Sequence, residues 1–120
     1  MIQLSNLIYK GLSEDTEVSN LVGTKVFPLI ADQKTKLPFI VYRVSLLNSV
    51  TKDKAERFSV EILSFETSYN KSLALNEKAV NAIDNVDLAG INYKFIKGSA
   101  EPLIDTDNRF YVKQIINIKK

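Results

Sequence analysis

The chain of 120 residues contains no cysteine, no histidine and no tryptophan, with four glycines, three prolines and a single methionine. Without cysteine there is no disulfide framework, no thiolate metal site and no thiol nucleophile. Without histidine, Ser/His/Asp triads, imidazole general bases and histidine metal sites are excluded. Four scattered glycines, Gly11, Gly23, Gly90 and Gly98, spell neither G-x-G-x-x-G nor a Walker loop, so no phosphate cradle is written here. No window approaches the roughly 18 apolar residues of a membrane span, and Met1–Asn6 lacks the basic start and apolar run of a secretory signal. The sequence reads as a soluble, unprocessed protein. A surplus of one charge sign is lacking as well: sixteen Lys and Arg face fourteen Asp and Glu, a formal charge of +2, too small for a nucleic-acid footprint by itself.

What is present is an ordinary globular composition, 45% hydrophobic and 25% charged, which fits one domain over residues 1–120. Ile2, Leu4, Leu7, Ile8 and Leu12 recur at helical spacing and predict a first helix over 2–12, with Gly11 weakening its last turn. A short helix over 16–22 follows, capped by Ser13 or Asp15 and closed by Gly23 in a left-handed conformation. Lys25-Val26-Phe27 reads as a short strand that Pro28 ends or confines to an edge. Beyond a polar loop, Pro38 keeps Leu37 extended.

Residues 39–47 alternate two partly apolar sets, Phe39, Val41, Arg43 against Ile40, Tyr42, Val44, Leu46, and 58–63 alternate again. The polar stretch Asn48–Arg57 between them predicts a long hairpin. Thr67 or Ser68 opens a helix whose stripe is Leu75, Ala79, Ala82, Ile83 and Val86. Alternation returns at Ile91, Tyr93 and Phe95 and at Phe110, Val112, Ile116 and Ile118, with Gly98–Asn108 between them read as a loop around Pro102. The predicted fold is α+β, an antiparallel sheet of four or five strands with helices on one face. Its expected core is Val26, Phe39, Val41, Phe58, Val60, Ile62, Leu75, Ile83, Tyr93, Phe95, Val112 and Ile116.

Each candidate site has a plainer explanation beside it. Asp105 and Asp107 resemble a hard-cation pair, but the central glycine and closing glutamate of a calcium loop are missing, and Asp is an ordinary turn former. Glu14, Asp15 and Glu17 suit a helix N-terminus better than catalysis. Aromatics at strand spacing could form a base-stacking sheet, yet the basic glycine-aromatic motif of RNA-binding sheets is absent, so core packing is preferred. The hairpin tip Val50, Thr51, Lys52, Asp53, Lys54, Ala55 and Glu56 carries mixed charge, an ordinary solvated surface or, being longer than a tight turn requires, a docking arm for a protein partner. No catalytic, cofactor or metal site is expected.

The run Leu21-Val22-Gly23-Thr24-Lys25-Val26-Phe27-Pro28, followed by Leu37-Pro38-Phe39-Ile40-Val41-Tyr42, resembles the tail-completion, or tail-terminator, family of siphophage-like particles and prophages, and the order of elements matches over nearly the whole chain. The resemblance implies a non-enzymatic assembly protein that forms a ring, hexameric in that family. Such a ring caps the tail tube and meets the head connector. It implies other copies, tail-tube and head-connector proteins as partners, no membrane and no sequence-specific nucleic acid, with assembly in the bacterial host cytoplasm and a place in the virion. A monomeric protein- or ligand-binding module is the alternative.

Overall fold

In the computed structural model the described residues are 2–47, 56–86 and 93–119, with Lys97 described in its backbone alone. Helix α1 runs Ile2–Glu14 and buries Leu4, Ile8 and Leu12, one residue per turn along a single stripe. Ile2, read as part of that stripe, is 80% exposed. Helix α2, Thr16–Val22, starts where Asp15 accepts a hydrogen bond from the Val18 N–H at 3.0 Å. It ends at Gly23, whose φ of 63° few other residues adopt and whose N–H donates to the Ser19 carbonyl.

Gly11 does not simply loosen α1. A Cβ there would lie 2.5 Å from Val86 Cγ2 and 3.6 Å from the Ala82 carbonyl oxygen, so the missing side chain is what lets α1 approach the third helix. That helix, α3, spans Tyr69–Asp84 and is capped by Ser68, which accepts from the Lys71 N–H. Its buried stripe includes the expected Leu75, Ala79, Ala82 and Ile83, together with two polar residues the pattern did not mark, Ser72 and Asn76. None of the described helices is long and apolar enough to cross a membrane.

Among the described residues, the helices lie over a five-stranded sheet of β1 (Val26–Pro28), β2 (Phe39–Leu47), β3 (Arg57–Glu66), β4 (Lys94–Ile104) and β5 (Phe110–Lys119), in the order β1-β2-β3-β5-β4. The anticipated hairpin is there, with β2 antiparallel to β3 in a register from Phe39 opposite Phe65 to Leu47 opposite Arg57. The α+β class holds. One pairing departs from the antiparallel expectation, because β1 joins β2 in parallel, Val26 opposite Ile40 and Pro28 opposite Tyr42. Residues 29–38 therefore carry the chain back across the sheet, and in returning they lay Ala31 and Leu37 on Phe39 and Val41, covering apolar surface that no described helix reaches. Pro28 sits on an outer strand, where a missing N–H leaves no ladder bond broken.

The loop expected over Gly98–Asn108 is mostly strand. β4 continues to Ile104, paired with Phe110, and only the turn to Arg109 separates it from β5. Pro102 does not end it, because β4 is the other edge of the described sheet and one side of an edge strand donates to no neighbour. Asn108 takes the left-handed conformation, φ 58°, that asparagine tolerates in such a turn.

Alternation along each strand separates two apolar faces. Ile40, Tyr42, Phe58, Val60, Ile62, Ile116 and Ile118 meet the helices, joined by Val26 and Tyr93. Phe39 and Val41, expected in that same core, are buried on the opposite face with Leu63. Phe95 is not core: it is 53% exposed, beside the irregularity in β4 between Phe95 and Lys97. Between α3 and β5, the Asn76 amide donates to Gln114 Oε1 at 3.1 Å, while Ser64 Oγ, also buried, has no hydrogen-bond partner among the described residues.

Candidate functional site

The helix-free face of the sheet concentrates the unusual chemistry. Strand register places Phe39, Phe65 and Tyr111 side by side on β2, β3 and β5. Their rings stack, Phe39 on Phe65 with centroids 4.6 Å apart at 15°, and Phe65 on Tyr111 at 4.7 Å and 19°. Such cross-strand aromatic contacts add about 0.5–1.5 kcal/mol each beyond the area they bury.

The Arg109 guanidinium lies over this row, 5.6 Å from the Phe39 centroid and 5.5 Å from that of Phe65. Asp105 holds it there: its Oδ2 accepts from Arg109 Nε at 2.8 Å, and its Oδ1 accepts from the N–H groups of Arg109 at 2.8 Å and Asp107 at 3.0 Å. Burial disfavours the Asp105 charge, but those hydrogen bonds and the positive charge of Arg109 outweigh it and hold the carboxyl below its ordinary value. Asp107 Oδ2 adds an ion pair to Arg109 at 3.6 Å. The two carboxylates thus brace a turn and an arginine, in line with the turn explanation of the Asp-x-Asp pair.

Over the aromatic row lies an open groove of about 350 Å³, with Val41 and Leu63 extending its floor and Ile30 and Leu103 at its sides. Its polar lining is Arg43, Arg109 and Lys113 together with Asp105 and Gln33. Glu61 lies between two of these, 3.5 Å from Arg43 and 3.5 Å from Lys113. Arg43 also donates from Nε to the Leu29 carbonyl at 2.7 Å, bracing a leucine with φ 71°, a conformation rare outside glycine. On the opposite face, burial raises the Tyr42 hydroxyl above its ordinary pKa, with the neighbouring Tyr9 adding to the shift and a hydrogen bond with Ser5 opposing it. That leaves Tyr42 a neutral core phenol.

Of the sequence-marked docking arm, Val50, Thr51, Lys52, Asp53, Lys54 and Ala55 lie outside the described residues. Glu56 is exposed immediately before β3. In the early acidic cluster, Asp15 serves as the α2 cap and Glu17, in the first turn, pairs with Lys78 of α3 at 3.2 Å. Sequence reading missed Arg109 as the centre of the groove. The signal was Asp105-x-Asp107-x-Arg109, an alternating charge pattern across a turn, but the aromatic row that receives the guanidinium comes from two strands distant in sequence.

Three described helices on one face of a five-stranded mixed sheet, with an aromatic groove on the other, define the class of fold. No protein-family model matches the sequence, and no curated protein matches it. Among solved structures, the chain is similar to one in the "Virion of native gene transfer agent (GTA) particle", with a TM-score of 0.66 and 12% sequence identity over 97% of this chain and 92% of that one. At that identity the likeness is one of fold.

Proposed function

We propose that this chain is a structural component of a phage-like particle, a single tail-completion-type domain without catalytic activity. In this reading its copies form a ring, hexameric as in the family it resembles, that closes the tail tube and joins it to the head connector. Assembly takes place in the cytoplasm of a bacterial host. The observation that carries the proposal is the shared fold with a gene transfer agent virion chain over nearly the full length of both. The sequence resemblance at Leu21–Pro28 and Leu37–Tyr42 is further support, since it rests on residues and not on backbone shape.

Within this proposal the segment Val50–Glu56 is a docking arm at the far end of the β2–β3 hairpin. Sedimentation of the purified protein across a wide concentration range, beside a variant lacking Val50–Glu56, tests both parts, together with binding of each to isolated tail tubes. Reversible closed oligomers, or capture by tails, that weaken on deletion are expected. A strict monomer that ignores tail tubes overturns the proposal.

One observation favours a second reading, a monomeric binding module. The groove over Phe39, Phe65 and Tyr111 combines an apolar floor with a few ion-paired polar groups, Arg43, Arg109, Lys113 and Asp105, the composition of a site for a small apolar ligand. Saturable binding of such a ligand by a protein that never self-associates would favour this module.

A further inference from the structure

On the helix-bearing side of the sheet, β4 forms an uncovered ledge next to α3. Register sets Gly98 opposite Ile116, Ala100 opposite Gln114 and Pro102 opposite Val112, so these small residues face the same way as the helix-packed Ile116, yet all three are exposed. Two recesses open along α3 on this side. One, of about 390 Å³, is apolar and lies between Tyr69, Pro102, Leu103, Ile104 and Phe110. The other, of about 380 Å³, is lined by Asn76, Glu77, Asn81 and Gln114 with Val80 as its one aliphatic member. Tyr69, Asn76 and Val80 are seven and four residues apart, a spacing that keeps them on one face of the helix.

The polar recess has an unmet demand. Asn76 is only 8% exposed, its amide nitrogen donates to Gln114 Oε1, and its own Oδ1 is buried with no hydrogen-bond partner among the described residues. A buried amide oxygen left in that condition costs about 1–3 kcal/mol. Gln114, with its oxygen engaged, has its NH2 beside Gly98, where an added Cβ would stand 3.2 Å from Nε2. The pair therefore presents one acceptor and one donor. Turning both amides over exchanges their roles and still presents one donor and one acceptor. A carboxylate, which only accepts, or an ammonium, which only donates, meets half of this demand. A peptide group, with its N–H and C=O, meets all of it in either orientation.

We infer that Asn76 and Gln114 capture a main-chain amide of a partner polypeptide, one of whose apolar side chains seats in the recess between Tyr69 and Ile104. The occupant is a polypeptide because the two recesses ask for different chemistry at a fixed separation. Seven helical residues separate Tyr69 from Asn76, about 10 Å at 1.5 Å per residue, which an extended chain covers in about three residues at 3.3 Å each. A polypeptide repeats its amide at every residue, so an apolar side chain in one recess brings an amide to the other. Gly98 and Ala100, with little or no side chain, let that main chain lie close to the ledge. This names a partner by its chemistry, which the ring reading does not, and it holds for a ring subunit and a monomeric module alike.

The test is a titration of the isotope-labelled full chain, followed by NMR, with the capped peptide acetyl-Leu-Ala-Ala-Ala-Leu-amide, which offers a leucine in either chain direction. An all-alanine peptide of the same length and glycerol serve as controls. The side-chain NH2 signals of Asn76 and Gln114 should shift saturably with the leucine peptide, and the alanine peptide should bind at least about tenfold more weakly. Asn76→Leu replaces the amide by an apolar group of similar size and should abolish binding while circular dichroism shows the fold retained. Ile104→Asp, at a position 55% exposed, should erase the preference for leucine. It carries the test alone if Asn76→Leu does not fold. A leucine peptide that leaves both amide signals unmoved, or that binds Asn76→Leu or Ile104→Asp as well as wild type, overturns the inference. Glycerol moving the same signals as strongly as the peptide would mark a hydroxyl site and overturn it too. None of these outcomes bears on sedimentation, so the ring reading stands or falls separately.

Discussion

Asp105 accepts three hydrogen bonds within its own turn and holds Arg109 over two phenylalanine rings. Asp105→Asn keeps the shape but removes the charge, and loss of charge-assisted hydrogen bonds of this kind costs about 1–3 kcal/mol. Because the carboxyl's folded pKa lies below its unfolded value of about 3.9, its contribution is complete above that pH and is lost as pH falls through the folded value. Urea unfolding of wild type and Asp105→Asn should therefore differ at pH 7 and converge in strong acid. A gap that stays constant down to pH 2 would refute the assignment. Ser64 presents the opposite case, a fully buried hydroxyl with no partner among the described residues. Ser64→Ala relieves that desolvation and should leave stability unchanged or raise it by up to about 1 kcal/mol. A marked loss would show that the hydroxyl has a partner after all.

Between elements, α1 packs closely on the end of α3 at Gly11. Gly11→Ala gains helix propensity of about 1 kcal/mol, but the new methyl would meet Val86 Cγ2 at 2.5 Å, and overpacking of that kind costs about 1–3 kcal/mol. A net loss in thermal stability is expected, and adding Val86→Ala should recover much of it, a coupling that a double-mutant cycle measures directly. Two additive substitutions would show that the helices do not touch there. In the sheet, Phe65 lies between Phe39 and Tyr111 and under Arg109, so Phe65→Ala should cost about 3 kcal/mol, more than Tyr111→Ala at the end of the row, as denaturant midpoints would register.

Elements specified by short-range signals were legible in the sequence. β2 begins and ends where alternation begins and ends, and α2 is bounded by Asp15 and Gly23 as read. The direction of β1 was not, because Val26–Pro28 is too short to carry an orientation and its partner is chosen by where the loop 29–38 finds apolar cover. Nor was the length of β4, since Gly98 and Pro102 are breakers in an interior strand and tolerable at an edge, and edge status depends on the order of the whole sheet. The aromatics were assigned to one core, whereas strand parity divides them between two faces. Arg109 became visible only when three strands were placed side by side.

For the molecule as a whole, the described helix-facing core is drawn from α1, α2, α3, the strands and Tyr93, so if Val50–Glu56 is an arm, deleting it should leave the melting temperature within a few degrees of wild type. A collapse in stability would mean that the tip folds back on the domain and is no arm.

The order β1-β2-β3-β5-β4 also sets a sequence in time. As the chain leaves the ribosome, β4 is made before β5, yet among the described strands β5 is the only one it pairs with. The helices, β1, β2 and β3 can begin to organise while β4 waits without a neighbour. The strand that ends at the edge of the finished sheet is thus also the one that waits for its partner during synthesis. Its exposure to stray pairing begins before folding ends and is relieved on its inner side by β5 alone.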